Sequence, residues 1–104
     1  MDLTRYQYLA QRTSSTQTQQ DKMRNGILGL SEETGELACM LRRYLYAKDS
    51  MNYEGIVSEL GYVLWYVAEV CQGLNLTMDT IALNNIAELR KAHPRKYMTE
   101  DTSG

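Results

Sequence analysis

Apolar residues recur at helical spacing in four stretches of the chain, and nowhere do they alternate as a half-buried strand requires. Tyr6, Leu9 and Ala10 define one face of a short first helix, with Thr4 and Gln7 spaced as a capping box at its start. Thr13 to Asp21 carries no apolar residue, which predicts a connection or a frayed helix end. A second helix follows from about Lys22. Its Ile27, Leu28, Leu30, Leu37, Ala38, Leu41 and Leu45 keep helical steps and predict one buried stripe. Lys48-Asp49-Ser50-Met51-Asn52 interrupts the pattern, with Ser50 and Asn52 as candidate N-caps for the next element.

The third segment, Ile56 to Leu74, is the most apolar. Ile56, Leu60, Val63, Leu64, Val67, Ala68 and Cys71 form a broad stripe that Trp65 and Val70 widen further. A stripe of that width predicts a helix covered on more than one side, as at a subunit interface. Gly73 and Asn75 close it. Thr77 is placed to cap a fourth helix with Asp79 near its N-terminus, Ile81, Ala82, Ile86 and Leu89 on one face, and Pro94 as its stop. The pattern predicts an all-α fold: one domain over 1–98, followed by a polar tail over 99–104.

At 104 residues and 43% hydrophobic content, the chain has room for one modest core, so burial against a second copy is expected. Eleven basic against thirteen acidic residues give a formal charge of -2, without the basic excess of a nucleic-acid binder. The start, Met1-Asp2-Leu3-Thr4-Arg5, lacks the apolar stretch of a signal peptide, and no apolar run reaches membrane-spanning length. Cys39 and Cys71 stand far apart in helical segments and predict two buried reduced thiols in a cytoplasmic protein. His93, the sole histidine, excludes a multi-histidine zinc site and is expected at the surface.

Candidate chemistry lies in the glutamates. Glu36 shares a helix face with Glu32 and Glu33, where like charges cost about 0.2–0.5 kcal/mol per pair. Gly26, Gly29 and Gly35 thin the same helix, each at about 1 kcal/mol relative to alanine, which predicts close approach of another helix or a ligand. Antiparallel packing of the second and third helices can bring Glu59 opposite Glu33 and Glu36. Two readings follow from periodicity: a solvated acidic face, or carboxylates converging on a hard cation such as magnesium.

The wording of the sequence adds to its periodicity. Asn25-Gly26-Ile27-Leu28-Gly29-Leu30-Ser31-Glu32-Glu33-Thr34-Gly35-Glu36-Leu37 resembles the first metal motif of MazG-like nucleotide pyrophosphohydrolases. Glu59-Leu60-Gly61-Tyr62-Val63-Leu64-Trp65-Tyr66-Val67-Ala68 resembles the second, usually written Glu-x-x-Asp. Gly73-Leu74-Asn75-Leu76 and the run from Asn85-Ile86-Ala87-Glu88-Leu89 to Pro94 resemble the closing helix, so the likeness covers about residues 3–98.

The resemblance implies a four-helix MazG-like fold that assembles into a helical-bundle dimer or dimer of dimers, with sites between subunits. It implies hydrolysis of a nucleoside triphosphate to the monophosphate and pyrophosphate, with Mg2+ (or Mn2+) as cofactor. By motif position Glu33, Glu36 and Glu59 would be metal ligands. Glu32 and Glu33 would serve the attacking water, and Tyr66, Asn85 and Arg43 would contact the substrate. Three positions depart from the pattern: Tyr62 stands for the second motif's aspartate, Glu88 for a common lysine, and Ala92 for a common arginine with Arg90 and Lys91 nearby. A phenol with a pKa near 10 is a poor magnesium ligand, so the alternative is a nucleotide-binding relative with weak or lost catalysis.

Overall fold

The computed structural model describes residues 1–98; the polar tail read over 99–104 lies outside them. Four α-helices follow in order: α1 (Leu3–Gln11), α2 (Gln19–Tyr46), α3 (Tyr53–Gly73) and α4 (Met78–Ala92), and a 3-10 turn (Pro94–Tyr97) closes the described chain. No strand occurs among the described residues, and none of their helices is long and apolar enough to cross a membrane.

Caps set most boundaries. Thr18 accepts from the Asp21 N–H at 3.1 Å, so α2 starts at Gln19, inside the stretch read from the sequence as a connection. Asn52, rather than Ser50, caps α3, its Oδ1 accepting from Gly55 N–H at 3.0 Å. At the other end Asn75 takes a left-handed φ of 58°, and Leu76 N–H reaches back to the Cys71 carbonyl at 2.8 Å. That pairing is the Schellman closure, and asparagine tolerates its backbone angle. Thr77 caps α4 as its sequence predicts. The capping box at Thr4 is not formed. Asp2 caps α1 through Arg5 N–H, while the Thr4 hydroxyl donates to Asp79 on α4. Gln7 is buried and bridges Gln72, the Leu76 carbonyl and Met78 N–H. Both side chains of the expected box tie helices together instead.

α2 and α3 form a long antiparallel hairpin, in register from Gly73 against Met23 to Gly55 against Met40. α1 crosses the C-terminal half of α3, where Trp65 Nε1 donates to the Ala10 carbonyl and the Thr13 hydroxyl. The fully buried apolar core gathers at that crossing and the start of α4: Ala10, Ala68, Cys71 and Met78. The stripe read on α2 is only partly covered, since Ile27 is 54% and Leu28 70% exposed while Leu30, Leu37 and Leu41 are half-buried. One partner helix shields one narrow side of a long helix. Cys39 is likewise exposed, correcting the expectation of two buried thiols; Cys71 is buried, and both are free. His93 is exposed at the end of α4. The radius of gyration, 16.7 Å, exceeds the roughly 13 Å of a compact domain of this length.

Candidate functional site

The glycines of α2 report how closely α3 lies. A Cβ at Gly26 would stand 2.5 Å from Val70 Cγ2 and 3.0 Å from the Val70 nitrogen. At Gly29 it would overlap the Tyr66 ring at 2.1 Å. Two of the three glycines therefore serve helix approach, and Gly29 seats a tyrosine ring. Gly35 differs: a Cβ there meets nothing within 4 Å, so no neighbour in this chain requires it.

Beyond Tyr66 the register brings Glu33 of α2 to Glu59 of α3. Both are half-buried and their carboxyls face each other closely enough for a shared proton to be favoured over two negative charges. The facing Glu59 carboxyl, partial burial, and the charges of Glu59, Glu32 and Glu36 push Glu33 up to about 7. Glu59 Oε2 is buried with no hydrogen-bond partner. Glu32 and Glu36 are exposed one helical step to either side and act on Glu33 through their charge. Among the described residues no three His, Cys, Asp or Glu side chains are grouped as a metal-binding set. The three-carboxylate convergence expected from the sequence is thus reduced to a pair. Glu36, three residues beyond Glu33, leaves the α2–α3 interface for solvent.

Tyr66 lies between this pair and the core. Its ring meets Trp65 edge-on with centroids 5.1 Å apart. Burial first, and then the charges of Glu33 and Glu32, push its phenol upward, so it stands at the carboxylates as a neutral hydrogen-bond donor.

The remaining sequence candidates lie apart. Arg43 lines a 390 Å3 cavity near the C-terminus of α2 with Cys39, Arg42 and Tyr46. Asn85 lines a second groove, also 390 Å3, between α1, α3 and α4 with Leu3, Leu64, Val67 and Glu88. Glu88 accepts from Asn84 Nδ2 at 2.8 Å. Tyr62 lines a third cleft with Tyr6 and Trp65, one helical step from Glu59 on α3. Within one chain, only Tyr66 among the proposed substrate contacts meets the carboxylates.

Sequence reasoning missed Glu69, which is 0% exposed. One carboxylate oxygen accepts from Gln11 Nε2 at 2.9 Å and Ser14 Oγ at 2.7 Å; the other accepts from Thr16 Oγ1 at 2.9 Å and Asn25 Nδ2 at 2.8 Å. Lys22 Nζ stands 3.8 Å away and bonds Gln11, Ser14 and Thr16 itself. Burial works to raise the Glu69 carboxyl, but the four donated hydrogen bonds hold it below the usual range. A signal was present: one acid inside Val67-Ala68-Glu69-Val70-Cys71, and a Ser/Thr/Gln run able to supply its donors.

No protein-family model matches the chain, and no solved structure does. The Gene 37 protein of Mycobacterium phage L5 is similar: 32% identical over 72 residues, covering 65% of this chain. The aligned region spans 63% of the length of that phage protein, whose name states no activity.

Proposed function

We propose that the protein is a magnesium-dependent nucleotide pyrophosphohydrolase of the MazG-like kind, cleaving a nucleoside or deoxynucleoside triphosphate to the monophosphate and pyrophosphate. The observation that carries this reading is the Glu33–Glu59 pair with its orphaned oxygen. A buried acceptor without a donor costs about 1–3 kcal/mol. An oxygen-seeking cation relieves that deficit and the repulsion between the two carboxylates together. The donor chemistry therefore fits magnesium or manganese as a two-carboxylate nucleus. Glu36, exposed one turn beyond Glu33, has the reach to join Glu33 and Glu59 as a third ligand. When bound, the metal supplies neutralisation of phosphate charge and a more acidic bound water.

The chain's own groups have distinct parts in this reading. Glu32, exposed beside the pair, accepts the proton of the attacking water. Tyr66, held against Gly29, donates a hydrogen bond from its neutral phenol to a phosphate oxygen. Arg43 and Asn85 sit too far along their helices to join this site within one chain, and serve it from a neighbouring copy. Assembly has its own support. Tyr53, Val57, Leu60 and Leu64 form an exposed apolar stripe along α3, Val57 at 67% exposure. The accessible surface, 7991 Å2, exceeds the roughly 5,900 Å2 of a compact protein of this mass by an amount comparable to a standard protein–protein interface. A homodimer or homotetramer covers that excess, and sedimentation would detect it.

A second reading is favoured by Tyr62, which puts a neutral phenol where a fourth carboxylate would complete the metal site. On that reading the protein holds a nucleotide and hydrolyses it weakly or not at all. Incubation with a panel of ribo- and deoxyribonucleoside triphosphates, with and without Mg2+ or Mn2+, tests both. Metal-dependent pyrophosphate release supports the enzyme; metal-dependent binding without release supports the binder; neither outcome removes both. Tyr62→Asp is expected to tighten metal binding by adding an anion beside the cation.

A further inference from the structure

The cleft beside Tyr62 has a composition that the carboxylate site does not explain. Tyr6 of α1 and Ser58, Gly61, Tyr62 and Trp65 of α3 line a shallow, open cleft of about 170 Å3. At about 30 Å3 for each water displaced, that holds one ring system but no turn of helix. Two of its three aromatic walls are fixed: Trp65 is pinned by its indole N–H to Ala10 and Thr13, and Tyr6 packs against the core. The third, Tyr62, is 55% exposed. The hydroxyls of Tyr6, Ser58 and Tyr62 have no hydrogen-bond partner among the described residues. Gly61 adds a second oddity. It sits inside α3, where glycine costs about 1 kcal/mol, yet a Cβ there meets nothing within 4 Å. No contact within the chain accounts for that glycine, which lines the cleft.

We propose that this cleft is a stacking site for a single nucleobase, with Tyr62 and Trp65 as ring partners and the free hydroxyls reading the base edge. Aromatic faces suit any base, because every base has a π-face. Unpaired hydroxyls at the rim suit a heterocycle carrying donors and acceptors better than an apolar side chain of a second copy. The cleft lies one ring from the carboxylates: Trp65 touches Tyr66, and Tyr66 stands beside Glu33. The choice of a nucleobase rests on the nucleotide reading above. On this proposal Tyr62 has exchanged metal binding for base binding.

Trp65 is the only tryptophan, so its emission reports directly on the cleft. The probes are adenosine and cytidine without metal, with ribose as control; they carry no phosphate and so make no demand on the carboxylates. Saturable quenching by the nucleosides and none by ribose is expected. Tyr62→Ala should weaken it roughly tenfold, the loss of one stacking partner. Gly61→Ala should weaken it similarly while leaving the melting temperature equal or higher, a combination that unfolding cannot produce. Absence of saturable quenching, or quenching that neither variant changes, overturns the proposal. So does a Gly61→Ala protein whose only change is its sedimentation, which would assign the face to a second copy. If nucleosides fail to bind while metal-dependent pyrophosphate release persists, the cleft proposal alone falls. If they bind through the cleft and no pyrophosphate is released, the hydrolytic reading alone falls.

Discussion

Glu59 and Glu69 lie on one face of the same helix, ten residues apart, and meet opposite environments. Glu69 has a hydrogen-bond donor for each lone-pair direction it uses and an ammonium group at the edge of its shell. Glu59 faces another carboxyl and keeps one buried oxygen without any donor. The first environment is complete within one chain and acts as a clasp, holding the α1–α2 connection onto α3. The second is incomplete and favours binding something positive. A buried acid therefore marks a candidate site through its missing partners rather than through its burial alone.

Breaking the closed end should have the largest effect. Glu69→Ala leaves Gln11, Ser14, Thr16 and Asn25 without their acceptor and Lys22 without its counter-charge, and loss of one partner of a buried charge pair costs about 3–5 kcal/mol. Chemical denaturation would measure it. Glu69→Gln, which keeps one acceptor oxygen, should cost less, about 1–3 kcal/mol. A Glu69→Ala protein as stable as the wild type would show that the clasp contributes nothing.

The glycines extend the comparison to the backbone. Gly26 lies at the closed end, where an added Cβ meets the Val70 backbone, so Gly26→Ala should destabilise by about 1–3 kcal/mol. Gly35, at the open end, faces empty space, and Gly35→Ala should stabilise the metal-free protein by up to about 1 kcal/mol. Thermal melts of the two variants should therefore move in opposite directions.

The smallest effect is in pH. Glu33 is held above its ordinary 4.5, at about 7, so the folded metal-free protein keeps a proton there that the unfolded chain has released. Its contribution is full below the ordinary value and is lost as pH rises through about 7. Glu69 is held low, so its contribution is present above the ordinary range and is lost as pH falls through its depressed value. Glu33→Gln should remove the loss on the alkaline side, a gain of about 1 kcal/mol at most once solvent screening of this part-exposed pair is allowed for. The acid-side loss should remain. A Glu33→Gln stability curve that parallels the wild type would dissolve the pair.

Much of the local structure was legible in the sequence. Helical spacing located four helices, Asn52 and Thr77 sit at caps they were expected to occupy, and Asn75 ends α3, because these features depend on neighbours within a turn or two. Thr4 shows the limit of such reading. Its hydroxyl suits an N-cap locally, but Asp79, far away in sequence, is its partner.

The candidate site divides along the same line. By itself the sequence determined which acids the chain carries, that Glu32, Glu33 and Glu36 share a helix, and that Glu59 rides on the apolar one facing it. Helical period depends on covalent geometry, so those placements needed no knowledge of the rest of the molecule. Only the tertiary structure decided that Glu33 meets Glu59 while Glu36 remains in solvent. It also decided that Gly29 makes room for Tyr66, that Tyr62 turns toward Tyr6 and Trp65, and that Glu69 is sealed beneath the α1–α2 connection. Each of these depends on the rotation and register of α2 against α3 and α1. Small differences summed over many side-chain contacts set that register, and no local pattern records the sum.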